Sequence, residues 1–354
     1  MKILDQHISK TIVNGTLMAL LLLVSLLSFV DFVDEVSNVG KAGYGLLDAA
    51  YFVLLSMPRH IYDIFPTAVL LGSLLSLGTL ASNSELIVMR AAGISIARIV
   101  RSVLQSGLIL VLLIALVGEV LVPMSERKAQ SAKATALKQN ISMGAQHGFW
   151  ARDGRRYIYV GRVYPDKQMG NLEIYELDKN QQLVRETYAK SASYQNNSWQ
   201  LKQVKQSSLL TDHVKTAEYK NLQWDNLLNP DIFNVVSVQP QNMSAMDLYR
   251  YSRYLQNNEL DASHFKLAFW IKIMTPVSSL VMLLIALPFV FGSQRSGGAG
   301  QRMMVGLLLG IGFFMLNSTL NHVGQIYGFP PFISAVSPMI LASFAGIYAL
   351  RRVH

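Results

Sequence analysis

Six runs of apolar residues, each long enough to cross a lipid bilayer, decide most of what this chain is free to become. In hydrocarbon every backbone N–H and C=O must find a partner within the protein, so an apolar run of about 20 residues is committed to a helix. The runs lie at about Thr11–Val33, Ile61–Ala81, Ile99–Met124, Lys272–Phe291, Met303–Ile326 and Phe332–Leu350. The first is longer than the core of a secretory signal and shows no A-x-A-like cleavage site, so it reads as a span. The second belongs to a longer apolar region, Leu46–Ala81. As one helix that region would measure about 54 Å, well over the bilayer core. The part before Pro58 is therefore expected in the far interface, with Pro58 bending the helix.

Charged residues make up only 15% of the chain, against about 25% in soluble domains. They gather at the ends of the runs and in one long insert. In a membrane protein Lys and Arg in short loops report orientation. Lys2, Lys10, Arg90, Arg98, Arg101, Arg295, Arg302, Arg351 and Arg352 all fall on one side, opposed only by Asp5 and Glu85. The short loops of the other side hold only Lys41. Both termini are thus expected in the cytoplasm and the insert outside. The division is 1–124 for spans one to three, 125–262 for the insert and 263–354 for spans four to six.

The insert reads as β. Tyr157–Val160 and Leu172–Leu177 alternate apolar and polar residues as half-buried strands do. An Asp153-Gly154 turn precedes them, and further strands are expected at Leu183–Ala192, Trp199–Val204, Val214–Tyr219 and near Phe233–Val238. Many short antiparallel strands without helical crossovers suggest a small sandwich or jelly roll. Ser125–Leu137 is expected to carry span three outward as a helix, and Ser244–Leu255 to form a brief helix before span four. The fold class is an α-helical membrane protein of six transmembrane helices with an inserted all-β domain.

Chemistry of its own is not written into the chain. It has no cysteine, hence no thiol nucleophile or thiolate metal site. There is no phosphate-binding loop G-x-x-x-x-G-K-[ST], no H-E-x-x-H and no G-x-S-x-G. Asp63, His60 and Glu119 sit toward span ends, as interfacial residues do.

Two features suggest a use. Residues 83–93, N-S-E-L-I-V-M-R-A-A-G, read as a short capped helix between spans two and three. Ser82 and Glu85 have capping-box spacing, and Gly93 suits the left-handed residue that closes a helix. Such a helix is either a docking knob for another protein or an interfacial segment resting on headgroups. Second, Lys41, Arg59, Arg127, Lys128, Lys133, Lys266 and Lys272 fall at or beyond the outer surface. They read either as snorkelling anchors with partners such as Asp48, Asp63, Glu119 and Glu126, or as a ring that holds phosphates. Phe65, Phe313, Phe314, Met315 and Leu316 would wall an apolar cavity beneath that ring, or simply pack against lipid and neighbouring helices.

Several motifs in order carry a resemblance: F-P-T-A-V-L-L-G at Phe65–Gly72, S-E-L-I-V-M-R-A-A-G at Ser84–Gly93, G-F-W-A-R-D-G at Gly148–Gly154 and Y-G-F-P-P at Tyr327–Pro331. Together they resemble the LptF/LptG family of lipopolysaccharide export permeases over essentially the whole chain. The start L-D-Q-H-I-S-K-T-I and the loop F-G-S-Q-R-S at Phe291–Ser296 are similar to its G-type member. The resemblance implies a half-transporter in the bacterial inner membrane that pairs with an F-type permease (LptF) and a cytoplasmic ATPase dimer (LptB), and has no cofactor of its own. A single-span regulator (LptC) and a periplasmic bridge protein (LptA) are the further partners implied. Helix 83–93 would be the coupling helix, with Ser84, Glu85, Leu86, Met89, Arg90 and Gly93 meeting the ATPase. Lys41, Arg59 and Lys133, together with Arg127, Lys128 and Lys272, would meet lipid headgroups. Phe65, Phe313, Phe314 and Leu316 would meet acyl chains. Two other readings stay open at this point: an ABC permease for another envelope substrate, such as a lipoprotein exporter or a mechanical transmitter, and a non-transporting membrane-anchored assembly or sensory protein.

Overall fold

The computed structural model describes residues 3–137, 149–163, 168–195, 198–209, 213–224, 240–291 and 299–352. Six of its helices are long and apolar enough to cross a membrane. They are α1 (Ile3–Val36), α2 (Leu46–Ser82), the continuous helix of span three, α7 (Ser263–Phe291), α8 (Ala299–Ile326) and α9 (Pro331–Arg351). Between α2 and span three lies the short α3 (Glu85–Ala91). Span three consists of α4 (Ile96–Leu116), a π-helical turn (Val117–Leu121) and α5 (Val122–Ala136). The expected extension of span three as a helix from Ser125 is present and ends at Ala136, one residue short of Leu137. Helix α2 runs on through Pro58 and Pro66.

The chain divides into two compact units. The first holds Met1–Ser37, Val53–Ser125 and Ser263–His354; the second holds Asn38–Phe52 and Glu126–Ala262.

In the first unit α2 is the buried centre. Its most apolar window is 78% buried, against 11% for α8. A cluster of Ile8, Ile12, Tyr62, Phe65, Val69, Leu77, Ile99, Val103, Leu110, Leu283 and Leu287 knits α1, α2, α4 and α7 together. Small residues set the closest approach. A Cβ built on Gly72 of α2 would lie 2.5 Å from the Thr16 Cα of α1. In lipid such close backbone packing replaces the hydrophobic driving force available in water. Large apolar side chains such as Met18, Leu21 and Phe29 of α1 and Phe344 of α9 remain exposed.

In the second unit six antiparallel strands form one sheet in sequence order: β1 (Phe149–Asp153), β2 (Arg156–Val163), β3 (Gln168–Leu177), β4 (Leu183–Gln195), β5 (Ser198–Leu209) and β6 (Val214–Trp224). The all-β insert is as expected, and its described strands make a meander with no Greek-key crossover among them. The strand expected near Phe233–Val238 lies outside the described residues. One face of the sheet buries Ile158, Val160, Leu172, Ile174, Ala189, Trp199 and Leu201, among others. Helix α6 (Ala245–Asn257) adds Tyr251 and Tyr254 to that core. It starts at Ser244, whose Oγ accepts a hydrogen bond from the Asp247 N–H at 3.0 Å.

The alternation of strand residues changes phase along one row of this sheet. Cross-strand pairing skips Gly161, Asn171, Lys190, Gln203 and Lys220. Asn171 and Gln203 both have φ of 52°, a left-handed conformation that turns the next side chain to the other face. Buried positions therefore step by three across the row, from Leu172 to Met169, Ala189 to Ala192 and Leu201 to Val204, and by two elsewhere.

The capping box expected at the start of α3 does not form. Helix α2 ends at Ser82 and α3 begins at Glu85, so the capping position belongs to Ser84. Ser84 has φ of 62° and makes no side-chain cap bond. A capping box needs an extended residue there, with its oxygen turned toward the first turn. The Ser82 Oγ instead donates to the Thr79 carbonyl at 2.9 Å. The other end is as expected: Gly93 has φ of 83°, and the Ile94 N–H reaches back to the Met89 carbonyl at 3.1 Å.

Candidate functional site

Helix α3 is seated by its own side chains. Leu86 and Met89, one turn apart, are buried against the helices of the first unit. Ile87 and Val88 are 48% and 65% exposed, and Ser84, Arg90 and Gly93 share that outward exposure. The six residues expected to meet a partner thus divide: Leu86 and Met89 hold the helix to its own chain, while Ser84, Arg90 and Gly93 face out. Ile87 and Val88 were not among them. The signal for them was in the sequence, since Leu86 and Met89 at i, i+3 mark one inward stripe and leave Ile87 and Val88 on the other face.

Glu85 is tied inward as well. Its carboxylate lies 2.9 Å from the His7 Nε2 of α1. On the same end of α1, Ser102 Oγ donates to the Asp5 carboxylate at 2.5 Å, and the hydroxyls of Ser106 and Ser9 are 2.6 Å apart. Three polar contacts thus join the first turns of α1 to α3 and α4, and Ser76 Oγ of α2 donates to the Thr11 carbonyl of α1 at 2.8 Å.

The basic residues are distributed over both units. In the first, Arg59 lies 3.6 Å from the Asp31 carboxylate of α1, which the buried His60 also contacts at 2.7 Å. Lys266 is half-buried on the second turn of α7. Lys272 is almost wholly buried, with its Nζ 4.6 Å from the centre of the Tyr62 ring. In the second unit Lys41 donates to the Asn38 side chain at 2.9 Å. Arg127 pairs with Asp247 at 2.7 Å, Lys128 is exposed, and the Lys133 Nζ stands 4.5 Å over the Phe52 ring. The pairing acids Asp31 and Asp247 differ from those nearest in sequence. Asp48 is engaged elsewhere, accepting from the Gly45 N–H at 2.8 Å at the start of α2. On the sheet, the Tyr175 hydroxyl donates to Glu173 at 2.8 Å, and that bond holds its pKa up to about 12.

The expected acyl-chain residues also separate. Phe65 is buried in the central cluster, and Phe313 is half-buried between α2, α7 and α9. Phe314, at 67% exposed, and Leu316 lie on the open side of α8 with Met315.

Against known proteins, residues 6–352 match the family described as Lipopolysaccharide export system permease LptF/LptG. The chain belongs to the LptF/LptG family. It is 36% identical over 340 residues to the Lipopolysaccharide export system permease protein LptG of Haemophilus influenzae, covering 96% of this chain and 95% of that one. It is 35% identical over 353 residues to the protein of the same name from Escherichia coli K12, covering 99% and 98%. The LptF/LptG assignment spans all six helices and the β-sheet, so this is a multi-pass permease with an inserted β-domain.

Proposed function

We propose that this chain is the G-type permease subunit of an inner-membrane ABC transporter that moves lipopolysaccharide out of the outer leaflet of that membrane, driven by a separate cytoplasmic ATPase dimer. An F-type permease would supply the other half, with a single-span regulator beside it. The termini and α3 lie in the cytoplasm and the β-domain in the periplasm, where it delivers the lipid to a bridge protein. The observation that carries this reading is α3: a helix too short to span, fixed to its own bundle by Leu86 and Met89 and offering Ile87 and Val88 outward. A rigidly mounted knob transmits displacement; a loosely held one would absorb it.

Closure of the ATPase dimer pushes α3, and the spans narrow a lipid cavity open to the outer leaflet. Lys41, Arg59, Arg127, Lys128 and Lys133 meet the phosphorylated headgroup, since ammonium and guanidinium groups complement phosphate by charge and hydrogen bonding. Phe314 and Leu316 offer apolar surface to the acyl chains, with Phe65 and Phe313 behind them. Each CH2 left in water would cost about 0.8 kcal/mol, so a covered route through the β-domain lowers the work of export.

The test is Glu85→Lys in the purified complex. It breaks the His7 contact and places a cation on α3; membrane insertion is expected to persist while ATP-driven lipid extraction is lost. Unchanged extraction by a normally assembled complex would remove α3 from the mechanism. Mild-detergent purification of the tagged chain, with identification of its protein and lipid companions, tests the partners themselves.

A further inference from the structure

Helix α6 has two unlike sides. Leu248, Ser252 and Leu255 are buried, and Tyr251 and Tyr254 beside them pack into the sheet core. Two contacts lock that side in place. The Tyr254 hydroxyl donates to the Arg152 carbonyl at 3.4 Å, and Glu259, just past the helix, pairs with the Arg152 guanidinium at 2.7 Å. The opposite side carries Met246, Tyr249, Arg250 and Arg253, all exposed and spaced i, i+3, i+4, i+7. Asp247 is the one acid within the helix, and Arg127 engages it at 2.7 Å. Arg250 and Arg253 have no ionic partner among the described residues.

The chain ties both ends of α6 close to the end of a span. At its start, Asp247 holds Arg127 of α5, which stands three residues, about 4.5 Å of helix rise, beyond Met124. At its end, the Leu260 N–H returns to the Leu255 carbonyl at 2.8 Å, which leaves only Asp261 and Ala262 before α7 begins at Ser263. Three residues of chain reach about 11 Å at most. Two turns into α7, Trp270 meets Phe332 at the start of α9 with ring centres 4.7 Å apart, and such rings favour headgroup level. A helix of 13 residues held near the surface at both ends lies along it. Its outer side has the make-up of an interfacial helix: apolar and aromatic groups that enter the boundary, and guanidinium groups that pair with phosphate. An acidic protein surface would match the two arginines equally well; the tethers to two spans are what favour lipid.

We propose that α6 is an interfacial helix whose Met246, Tyr249, Arg250 and Arg253 side rests on the bilayer and binds the phosphates of anionic phospholipids in the adjoining leaflet. The proposal requires only that the bundle cross a membrane, whatever cargo it carries.

Fluorescence quenching in the full-length chain tests it. The chain has no cysteine, so single thiols can be placed and labelled without background. Labels at Tyr249→Cys and Gln256→Cys read the outer side of α6, and one at Lys205→Cys, exposed on β5, is the reference. The variants are reconstituted in phosphatidylcholine vesicles with or without phosphatidylglycerol, each carrying a lipid with a quenching nitroxide on its headgroup. Both α6 labels are expected to be quenched several-fold more than the reference, and more strongly with phosphatidylglycerol. At about 1 M salt, where the Debye length is about 3 Å, that increment should vanish. Adding Arg250→Gln and Arg253→Gln to Tyr249→Cys should remove the increment, and adding Arg250→Lys and Arg253→Lys should keep most of it. Equal quenching at α6 and at Lys205→Cys overturns the proposal, since the side then faces water or protein. Quenching indifferent to phosphatidylglycerol and to the loss of both arginines overturns the phosphate contact. Quenching that appears only when lipopolysaccharide is added also overturns it and assigns the side to that lipid. No outcome of this experiment depends on transport, so it stands or falls apart from the reading of the chain as a permease subunit.

Discussion

Helix α3 has an inside and an outside, and two single substitutions separate them. Leu86 is 3% exposed and Val88 65% exposed. Truncating a buried Leu to Ala costs about 2–5 kcal/mol, depending on how far the site collapses. Because α3 is only 7 residues long and bounded by turns at both ends, it can settle partly into the gap, so about 2–3 kcal/mol is expected for Leu86→Ala. Val88→Asp removes little buried surface and should change stability by less than about 0.5 kcal/mol. Its effect falls on docking: an unpaired carboxylate pressed into apolar contact costs about 1–3 kcal/mol, or roughly 5- to 150-fold in affinity. The assay is thermal unfolding of each full-length variant in mild detergent, beside the amount of ATPase that co-purifies with it. Leu86→Ala should melt early yet retain ATPase at low temperature; Val88→Asp should melt normally and lose it. The reverse pattern would refute the assignment of faces.

Gly72→Val places side-chain carbon on the Thr16 backbone, and the cost of about 3 kcal/mol or more should abolish folded yield in membranes; Gly312→Ala, with open space around it, should express normally. Arg127 and Asp247 are 44% and 27% exposed, so Arg127→Ala should change stability by less than about 1 kcal/mol; reduced photocrosslinking of lipopolysaccharide in that variant would then report a lost ligand contact and not misfolding. Burial pushes the Tyr251 hydroxyl up to about 12 from its ordinary value of 10. The folded state therefore holds this proton more tightly than the unfolded chain, and the associated stability is intact below pH 10 and lost as pH rises through about 12. Phenolate absorbance should show one fewer late-titrating tyrosine in Tyr251→Phe than in the parent, where Tyr175 also titrates late.

The spans were legible because the bilayer imposes a length and a composition that no packing detail can override. Strand positions were legible for a similar reason: Leu172–Leu177 alternates over enough residues to exclude a helix. What the sequence withheld is conformation at single residues and pairing across distance. The capping box failed because Ser84 takes a left-handed φ, which the Ser82–Glu85 spacing does not reveal. Asp31 meets Arg59 and His60, and Asp247 meets Arg127, through helix pairings that place distant stretches together, whereas the sequence suggests Asp48, Asp63, Glu119 and Glu126. The seat of Lys272 on the Tyr62 ring was not legible either, since it depends on two helices distant in sequence meeting.

The skipped row from Gly161 to Lys220 gives the β-sheet a crease. Backbone bonding that locks neighbouring strands is interrupted there in one strand after another, so stiffness is lowest along that line while the plates on either side stay intact. Closing or opening the plates about this hinge line alters the width of the greasy face they share without tearing the ladder elsewhere. The sheet gains this compliance from the offset of two left-handed residues, Asn171 and Gln203.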